Sequence, residues 1–317
     1  MRRILAWVLA AVCMFSFACA ETVTGNLEER FGKTPVMEYQ GQTFRLRNRL
    51  TTILLAGTDR RMEDTVAANE YRNGGQADFL LLLVIDDNRD TIQPVHINRD
   101  TMAEITVLSV LGQETGKRTA QLCLAHGFGD GAEQSCELLV RAVSKRLLDV
   151  PVDHYAVMNL DGIAALNDAI GGVEVTLQED FTAYDPQMTA GKTLRLKGSQ
   201  AEIYVRQRYY VGEQTNTARM SRQQTYMRAA AKAVESRVRT DAGFITALFS
   251  LVEPYLVTDM GRGRIANLSN SAAQYELLPM LELEGEALLG ESGFMEFYPT
   301  EASVTETVLE AFFEPRE

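Results

Sequence analysis

Asp78-Phe79-Leu80-Leu81-Leu82-Leu83-Val84-Ile85-Asp86, Asp87-Asn88-Arg89-Asp90 and Thr91-Ile92-Gln93-Pro94-Val95-His96-Ile97-Asn98 follow one another without interruption. Two apolar runs of strand length separated by four polar residues with turn chemistry form the pattern of a β-hairpin. N-terminal to it, Thr51-Thr52-Ile53-Leu54-Leu55-Ala56-Gly57 is a continuous apolar run closed by glycine, which suits a strand buried on both faces. C-terminal to it, Thr119–His126 and Ala132–Leu147 read as helices. In the second, Cys136, Leu139, Val140, Val143 and Leu147 share one face, as expected of a helix that covers a sheet. His154–Met158 reads as a strand, Asp161–Ile170 as a helix stopped by Gly171-Gly172, and Val173–Leu177 as another strand. Helices are expected near Gly198–Arg208, Arg219–Val252, Ser269–Leu278 and Ser303–Phe313. The expected class is α/β: one main domain with a central mixed sheet that contains antiparallel pairs and is flanked by helices.

The 317 residues carry 31 basic against 43 acidic side chains, a formal charge of −12 that disfavours a generic nucleic-acid binder. With 46% hydrophobic and 23% charged residues the chain is neither disordered nor a polytopic membrane protein. Of the 31 bases, 25 are Arg and 6 are Lys. That bias fits bidentate recognition of phosphate or carboxylate, and it also fits a coding bias.

Residues 1–20 read as a signal peptide or N-terminal membrane anchor. Met1-Arg2-Arg3 is basic, Ile4–Ala20 is uncharged, and Ala18-Cys19-Ala20 resembles a cleavage site. The uncharged stretch is about 25 Å long as a helix, slightly short of a hydrocarbon core of about 30 Å, so cleavage and retention both stand. Lipidation at Cys19 is the third option, with the bulky Phe17 making a poor lipobox. Arg2 and Arg3 would keep the N-terminus inside and place the body outside. A polar lead-in, 21–49, ends in Arg45, Arg47 and Arg49. Cys13 and Cys19 fall in the leader, leaving Cys123 and Cys136, which are either bridged in an oxidising compartment or two buried thiols. Their spacing offers no metal site.

If Asp86 pairs with Thr91 across the turn, paired positions sum to 177, and Asp78 stands opposite Arg99. If the strand ending at Gly57 lies antiparallel beside Asp78–Asp86, then Asp59, Arg60 and Arg61 arrive at the same edge. Two carboxylates suit Mg²⁺, which takes oxygen ligands and keeps waters while bridging phosphates. Arg99 and Arg61 would hold phosphate oxygens. The plain alternative is a strand-edge salt bridge. A second group, Arg206, Arg208, Arg219 and Arg222 beside Gln223 and Gln224, surrounds the loop Tyr209-Tyr210-Val211-Gly212, an arginine cradle suited to a polyanion.

In order along the chain, these segments are Leu55-Ala56-Gly57-Thr58-Asp59-Arg60-Arg61, Ala77-Asp78, Arg99-Asp100-Thr101, Asp168-Ala169-Ile170-Gly171-Gly172-Val173-Glu174-Val175, Leu196-Lys197-Gly198-Ser199-Gln200-Ala201 leading to Arg206-Gln207-Arg208, and Arg219-Met220-Ser221-Arg222-Gln223-Gln224. Together they resemble the LytR-CpsA-Psr family, whose older name invokes transcriptional attenuation. The resemblance implies a domain over 50–260, completed by helices and strands in 261–317, with an apolar lipid-binding pocket. Leu80, Leu82 and Val84, or the opposite face Leu81, Leu83 and Ile85, are candidates for its wall.

It also implies an extracytoplasmic, Mg²⁺- or Mn²⁺-dependent phosphotransferase, on the cell membrane or at the cell surface. Such an enzyme moves a teichoic acid or capsular polysaccharide from undecaprenyl pyrophosphate to a peptidoglycan hydroxyl, the C6 hydroxyl of muramic acid. By the same resemblance, Asp59 and Asp78 match metal-associated carboxylates. Arg61, Arg99, Arg206, Arg208, Arg219 and Arg222 match pyrophosphate-contacting or catalytic positions with Gln223 beside them, and Asp100 and Thr101 support Arg99. Gln76 stands where many members have Arg, Asn98 where Pro is usual, and Asn216 where Asp is frequent. A non-catalytic binder of prenyl-linked glycans or peptidoglycan is the competing class. As an edge phosphate ligand, Arg99 is expected to matter for transfer and little for folding.

Gly127-Phe128-Gly129-Asp130-Gly131 lacks the Lys-Ser/Thr of a P-loop and reads as a plain loop. His96, His126 and His154 show no metalloprotease spacing, and the chain contains no GxSxG nucleophile motif.

Overall fold

The computed structural model describes residues 36–61, 74–109, 111–238, 240–241, 243–272 and 275–316. The leader, most of the lead-in, Cys13 and Cys19 lie outside them. Strands β1 (Val36–Tyr39) and β2 (Gln42–Leu46) come first, then β3 (Leu50–Thr58), β4 (Ala77–Asp86) and β5 (Thr91–His96). A hairpin of β6 (Met102–Leu108) and β7 (Glu114–Gln121) precedes α1 (Cys123–Gly127), α2 (Glu133–Arg146) and β8 (His154–Met158). The next segment holds α3 (Leu160–Ala169), β9 (Val173–Thr176), β10 (Thr193–Leu196), α4 (Ser199–Arg206), α5 (Asn216–Val238) and α6 (Phe244–Val252). Last come β11 (Leu256–Thr258), α7 (Arg262–Ala272), β12 (Glu276–Leu277), β13 (Leu281–Glu282), β14 (Gly285–Leu289), β15 (Met295–Pro299), α8 (Glu301–Phe312) and β16 (Phe313–Pro315). Among the described residues no helix is long and apolar enough to cross a membrane.

The described residues form two compact units. The larger takes the chain up to Val157, Val257–Met260 and the part from Glu276 onward; the smaller takes Met158–Leu256 and Gly261–Tyr275.

In the larger unit the main sheet runs β11-β8-β3-β4-β5-β12, with β13 also on β5. The pairs β3–β4 and β4–β5 are antiparallel, whereas β12 and β13 join β5 in parallel, so the sheet is mixed. The hairpin register is the expected one: Asp86 faces Thr91 and Leu81 faces His96. On one face Leu54, Leu80, Leu82, Val84 and Val95 pack with Leu139 and Val143 of α2 and Val304, Val308 and Phe312 of α8. Fully burying each such side chain is worth about 1.5–3 kcal/mol. On the other face Ile53, Leu55, Leu81, Leu83, Ile85 and Ile92 are buried as well. The basic end of the lead-in is structural: Arg45 pairs with Glu314 at 2.8 Å, and Arg47 donates to the Glu310 carbonyl at 2.7 Å, near the C-terminal end of α8.

The smaller unit packs Val173, Val175 and Leu177 against Leu166, Ile170, Tyr204, Tyr226 and Val234. Asn167, fully buried, ties it together. Its amide donates to Leu196 O at 2.9 Å, and its Oδ1 accepts from Val173 N and from the Tyr226 hydroxyl, each at 3.2 Å. Burial pushes the Tyr226 phenol pKa upward.

Three helix expectations are corrected. Thr119–His126 is the end of β7 followed by α1, because Glu114–Gln121 satisfies its backbone by pairing with β6. Arg219–Val252 is two helices: α5 ends at Val238, the Thr240 hydroxyl bonds the Arg237 carbonyl at 2.9 Å, and α6 begins after Gly243. Instead of a helix over Ser269–Leu278, α7 ends at Ala272 and Glu276–Leu277 becomes a strand. There Glu276 N and Leu278 N bond Asp90 O and Ile92 O at 2.7 and 2.9 Å, covering the edge of β5.

Candidate active site

At the end of β3 the ladder slips. Gly57 faces Phe79 but Thr58 faces Ala77, so Asp78 is the extra residue of a β-bulge. A bulge re-aims a side chain out of the strand's alternation. Here it sets the Asp78 carboxylate in an ion pair with Arg99 Nη1. Beyond the slip, Asp59 N donates to Gln76 O at 3.0 Å, and Asp59 Oδ1 accepts from Gln76 N at 2.6 Å. The sequence expectation that Asp59, Asp78 and Arg99 meet at one strand edge is what the larger unit displays, with Arg60 and Arg61 continuing from Asp59, both half-buried.

Arg99 is clamped. Nε donates to Asp100 Oδ1 at 3.1 Å and Nη2 to Gln76 Oε1 at 3.0 Å, besides the Nη1 pair with Asp78. Its side chain is 14% exposed. Against the expectation that Arg99 matters little for folding stand these three contacts, which its removal would take from Asp78, Asp100 and Gln76. Asn98 sets the bend beneath it: its Oδ1 accepts from Asp100 N at 2.9 Å, and its carbonyl accepts from Thr101 N at 3.0 Å and Thr101 Oγ1 at 2.6 Å.

A glycine-lined bed supports the edge. Gly75 has φ +80°, and a Cβ there would stand 2.5 Å from Arg60 Cγ and 3.0 Å from Asp59 Oδ1. The Arg60 guanidinium also lies against Gly131. His126, 1% exposed, holds Gly75 O through Nδ1 at 3.0 Å, and burial pushes its pKa down. The Gly127–Gly131 loop is spent on capping α2: Asp130 Oδ1 accepts from Ala132 N and Ser135 N, and Ser135 Oγ accepts from Gly131 N at 2.7 Å. No bridge joins Cys123 and Cys136; both are buried thiols. Cys123 Sγ points to Gln76 Oε1 at 3.9 Å, while Cys136 packs in the core with Leu139 and Val143, its pKa pushed well up by burial.

In the smaller unit, Arg206 closes α4, 36% exposed at its side chain and 3.5 Å from Glu202. Arg208 is half-buried in the following loop. Arg219 is 2% exposed, and its Nη2 donates to Asn216 Oδ1 at 2.6 Å, so the amide at 216 still orients the guanidinium. Every nitrogen of the Arg222 guanidinium has a protein acceptor: Nε on Tyr204 O at 3.0 Å, Nη1 on Glu179 and Nη2 on Gln207 O. It also stacks over Phe181 at 5.3 Å. Gln223 Nε2 donates to Val205 O at 3.3 Å. Arg222 and Gln223 thus tie the end of α4 to α5. Sequence reasoning missed Glu179 as a partner and Gln76 as an acceptor. The first gave no signal, and the second was visible as a polar residue two positions before Asp78 in an extended chain.

A mixed α/β scaffold whose bulged strand edge presents carboxylates against a clamped guanidinium defines the class. Within it, the chain belongs to the LytR_cpsA_psr family, whose profile matches residues 17–309. It is 33% identical over 157 residues to the polyisoprenyl-teichoic acid–peptidoglycan teichoic acid transferase TagU of Halalkalibacterium halodurans, covering 50% of this chain and 44% of that protein. It is 30% identical over 274 residues to the cell wall biosynthesis protein LcpA of Corynebacterium glutamicum, covering 76% of this chain and 52% of that one. The chain therefore spans about half the length of these two curated relatives. Among solved structures, protein gbs0355 from Streptococcus agalactiae superposes with a TM-score of 0.66 at 22% identity over 83% of this chain and 86% of that one, a likeness of fold.

Proposed function

We propose that this chain is an extracytoplasmic transferase that moves an anionic glycopolymer, of the teichoic acid or capsular polysaccharide type, from undecaprenyl pyrophosphate to peptidoglycan. The observation that carries the reading is the bulge that sets Asp78 against Arg99 beside Asp59. Membership of the family and the activity for which TagU is named support the substrate class.

Phosphoryl transfer depends mostly on positioning and on stabilising spread negative charge. Asp59 and Asp78 would hold Mg²⁺, or Mn²⁺ in its place. Among the described residues no group of three or more His, Cys, Asp or Glu forms a self-sufficient cage. Two carboxylates fit a hard cation that takes its remaining ligands from phosphate and water. Bound there, the cation supplies positive charge to the phosphate oxygens. Arg61 and Arg99 orient phosphate oxygens, with the Arg99 fork pre-set by Asp100 and Gln76. Arg206, Arg208 and Arg219 supply guanidinium groups for the anion in the smaller unit, and Arg222 and Gln223 fix the chain around them. Of the two sheet faces offered as a wall for the prenyl chain, that of Leu80, Leu82 and Val84 packs against α2 and α8, and Leu81, Leu83 and Ile85 on the other are buried. The leader, cleaved or retained, places the body outside the membrane.

The test supplies the purified protein with Mg²⁺, a lipid-pyrophosphate-linked donor and peptidoglycan oligomers. Linked product is expected. Binding of donor without product would replace this reading by the non-catalytic binder.

A further inference from the structure

We propose that Tyr209 and Tyr210 form a stacking platform for a saccharide ring, a binding subsite beyond the phosphate-directed residues; the class of ligand rests on the glycopolymer reading above. The two rings are 66% and 81% exposed. Exposed aromatic pairs on a mobile loop would mean little, but this loop is built. Val211, between the rings and the next turn, is fully buried, and its N–H bonds Arg208 O at 3.2 Å. The Tyr184 hydroxyl donates to Tyr209 O at 2.9 Å, and Arg222 holds Gln207 O. Gly212, at φ +47°, packs so closely on Glu179 that a Cβ would collide with its carboxylate.

Tyr210 itself sits at φ +58°, a left-handed backbone that a bulky side chain rarely adopts. Strain of this kind persists where surrounding contacts over-determine it, and it concentrates at binding loops. The fold therefore holds two large rings in water, one of them on a left-handed backbone.

The surroundings select the occupant. Gly212, Glu213, Gln214 and Thr215, which follow the tyrosines in the chain, are exposed, while Val211, the aliphatic residue of the loop, is buried. Exposed rings on a loop whose other exposed residues are polar suit a sugar, which offers an apolar C–H face and a hydroxylated rim. A lipid or protein partner would ask for aliphatic neighbours, and the charge of −12 disfavours an anionic membrane.

The experiment titrates the protein, by calorimetry, with peptide-free peptidoglycan oligosaccharides and, separately, with a lipid-pyrophosphate-linked disaccharide. The double variant Tyr209→Ala/Tyr210→Ala should lose about tenfold or more in affinity for one of them, the scale of one or two stacked rings. Which probe is affected tells whether the ring belongs to acceptor or donor. Tyr209→Phe/Tyr210→Phe should bind within about twofold of the parent, and both variants should melt as the parent does, because the side chains are exposed. Unchanged affinity for both probes in the Ala variant, or equal loss in the Phe variant, overturns the platform. So does loss of binding to anionic vesicles in place of saccharides, or a parent protein that binds neither probe. Saccharide binding that needs the tyrosines in a protein that makes no linked product would leave the platform standing and remove the transferase reading.

Discussion

Gln76 and Asn98 occupy positions where the family resemblance leads to Arg and Pro, and both are built into the site. Gln76 Oε1 accepts from Arg99, an interaction that an arginine at 76 would turn into repulsion, and Asn98 supplies a side-chain acceptor that proline lacks. Arg99→Ala should abolish transfer and also cost about 2–3 kcal/mol of stability by taking the guanidinium away from Asp78 and Asp100. Arg99→Lys should keep most of the stability while losing the fork and the activity, as denaturant titration alongside the transfer assay would show.

His126 gives a pH signature. Its folded pKa lies below the unfolded value of about 6.5, so the unfolded chain binds the extra proton. Its contribution is then complete above about pH 6.5 and is lost as pH falls through and below it. Melting temperature should drop between about pH 6.5 and 5, and His126→Gln should flatten that part of the profile. An unchanged profile in the variant would assign the acid limb to other groups.

At the scale of elements, the hairpin was legible in its register because alternation and turn chemistry agree there: Asp86 faces Thr91 and Leu81 faces His96, and beyond the pairing Arg99, in the following turn, reaches Asp78 with its side chain. The bulge was not legible, since a slipped residue leaves no mark in hydrophobicity. The β6–β7 and β14–β15 hairpins escaped for another reason. Glu114–Thr119 is polar and exposed, with no apolar face to read, and β14 is exposed although Ala287, Leu288 and Leu289 are apolar, without the alternation of a half-buried strand. The edge strands β12 and β13 are two residues each, too short for any pattern. Gly75→Ala should cost about 2 kcal/mol or more, combining a left-handed backbone with a collision at Arg60 and Asp59. It should also lower transfer by displacing Asp59, which thermal melts and turnover measured on one preparation would reveal together.

For the whole molecule, no linker was visible because two of the passages between units fall inside strands, at Val157/Met158 within β8 and Leu256/Val257 within β11, and the other two, at Met260/Gly261 and Tyr275/Glu276, lie in short connections. Each unit has its own apolar cluster, and each holds part of the set of arginines and carboxylates singled out from sequence. The arginine bias serves the fold in part: Arg45, Arg47 and Arg222 bind protein acceptors, and Arg206, 36% exposed, stands 3.5 Å from Glu202. Chelation should stop transfer, and Mg²⁺ or Mn²⁺ should restore it while Ca²⁺, with its longer and looser coordination, should restore less. Full activity in chelator would dismiss the metal role of Asp59 and Asp78.

Asp78 is the residue by which β4 outruns its neighbour, so the face-to-face alternation that governs the rest of the strand places no demand on it. A lineage is free to exchange that carboxylate without disturbing the apolar interior. Silenced descendants of such a protein should keep the architecture while giving up the part of their thermal resistance that the pair with Arg99 supplies, and betray themselves by a single altered codon at this position.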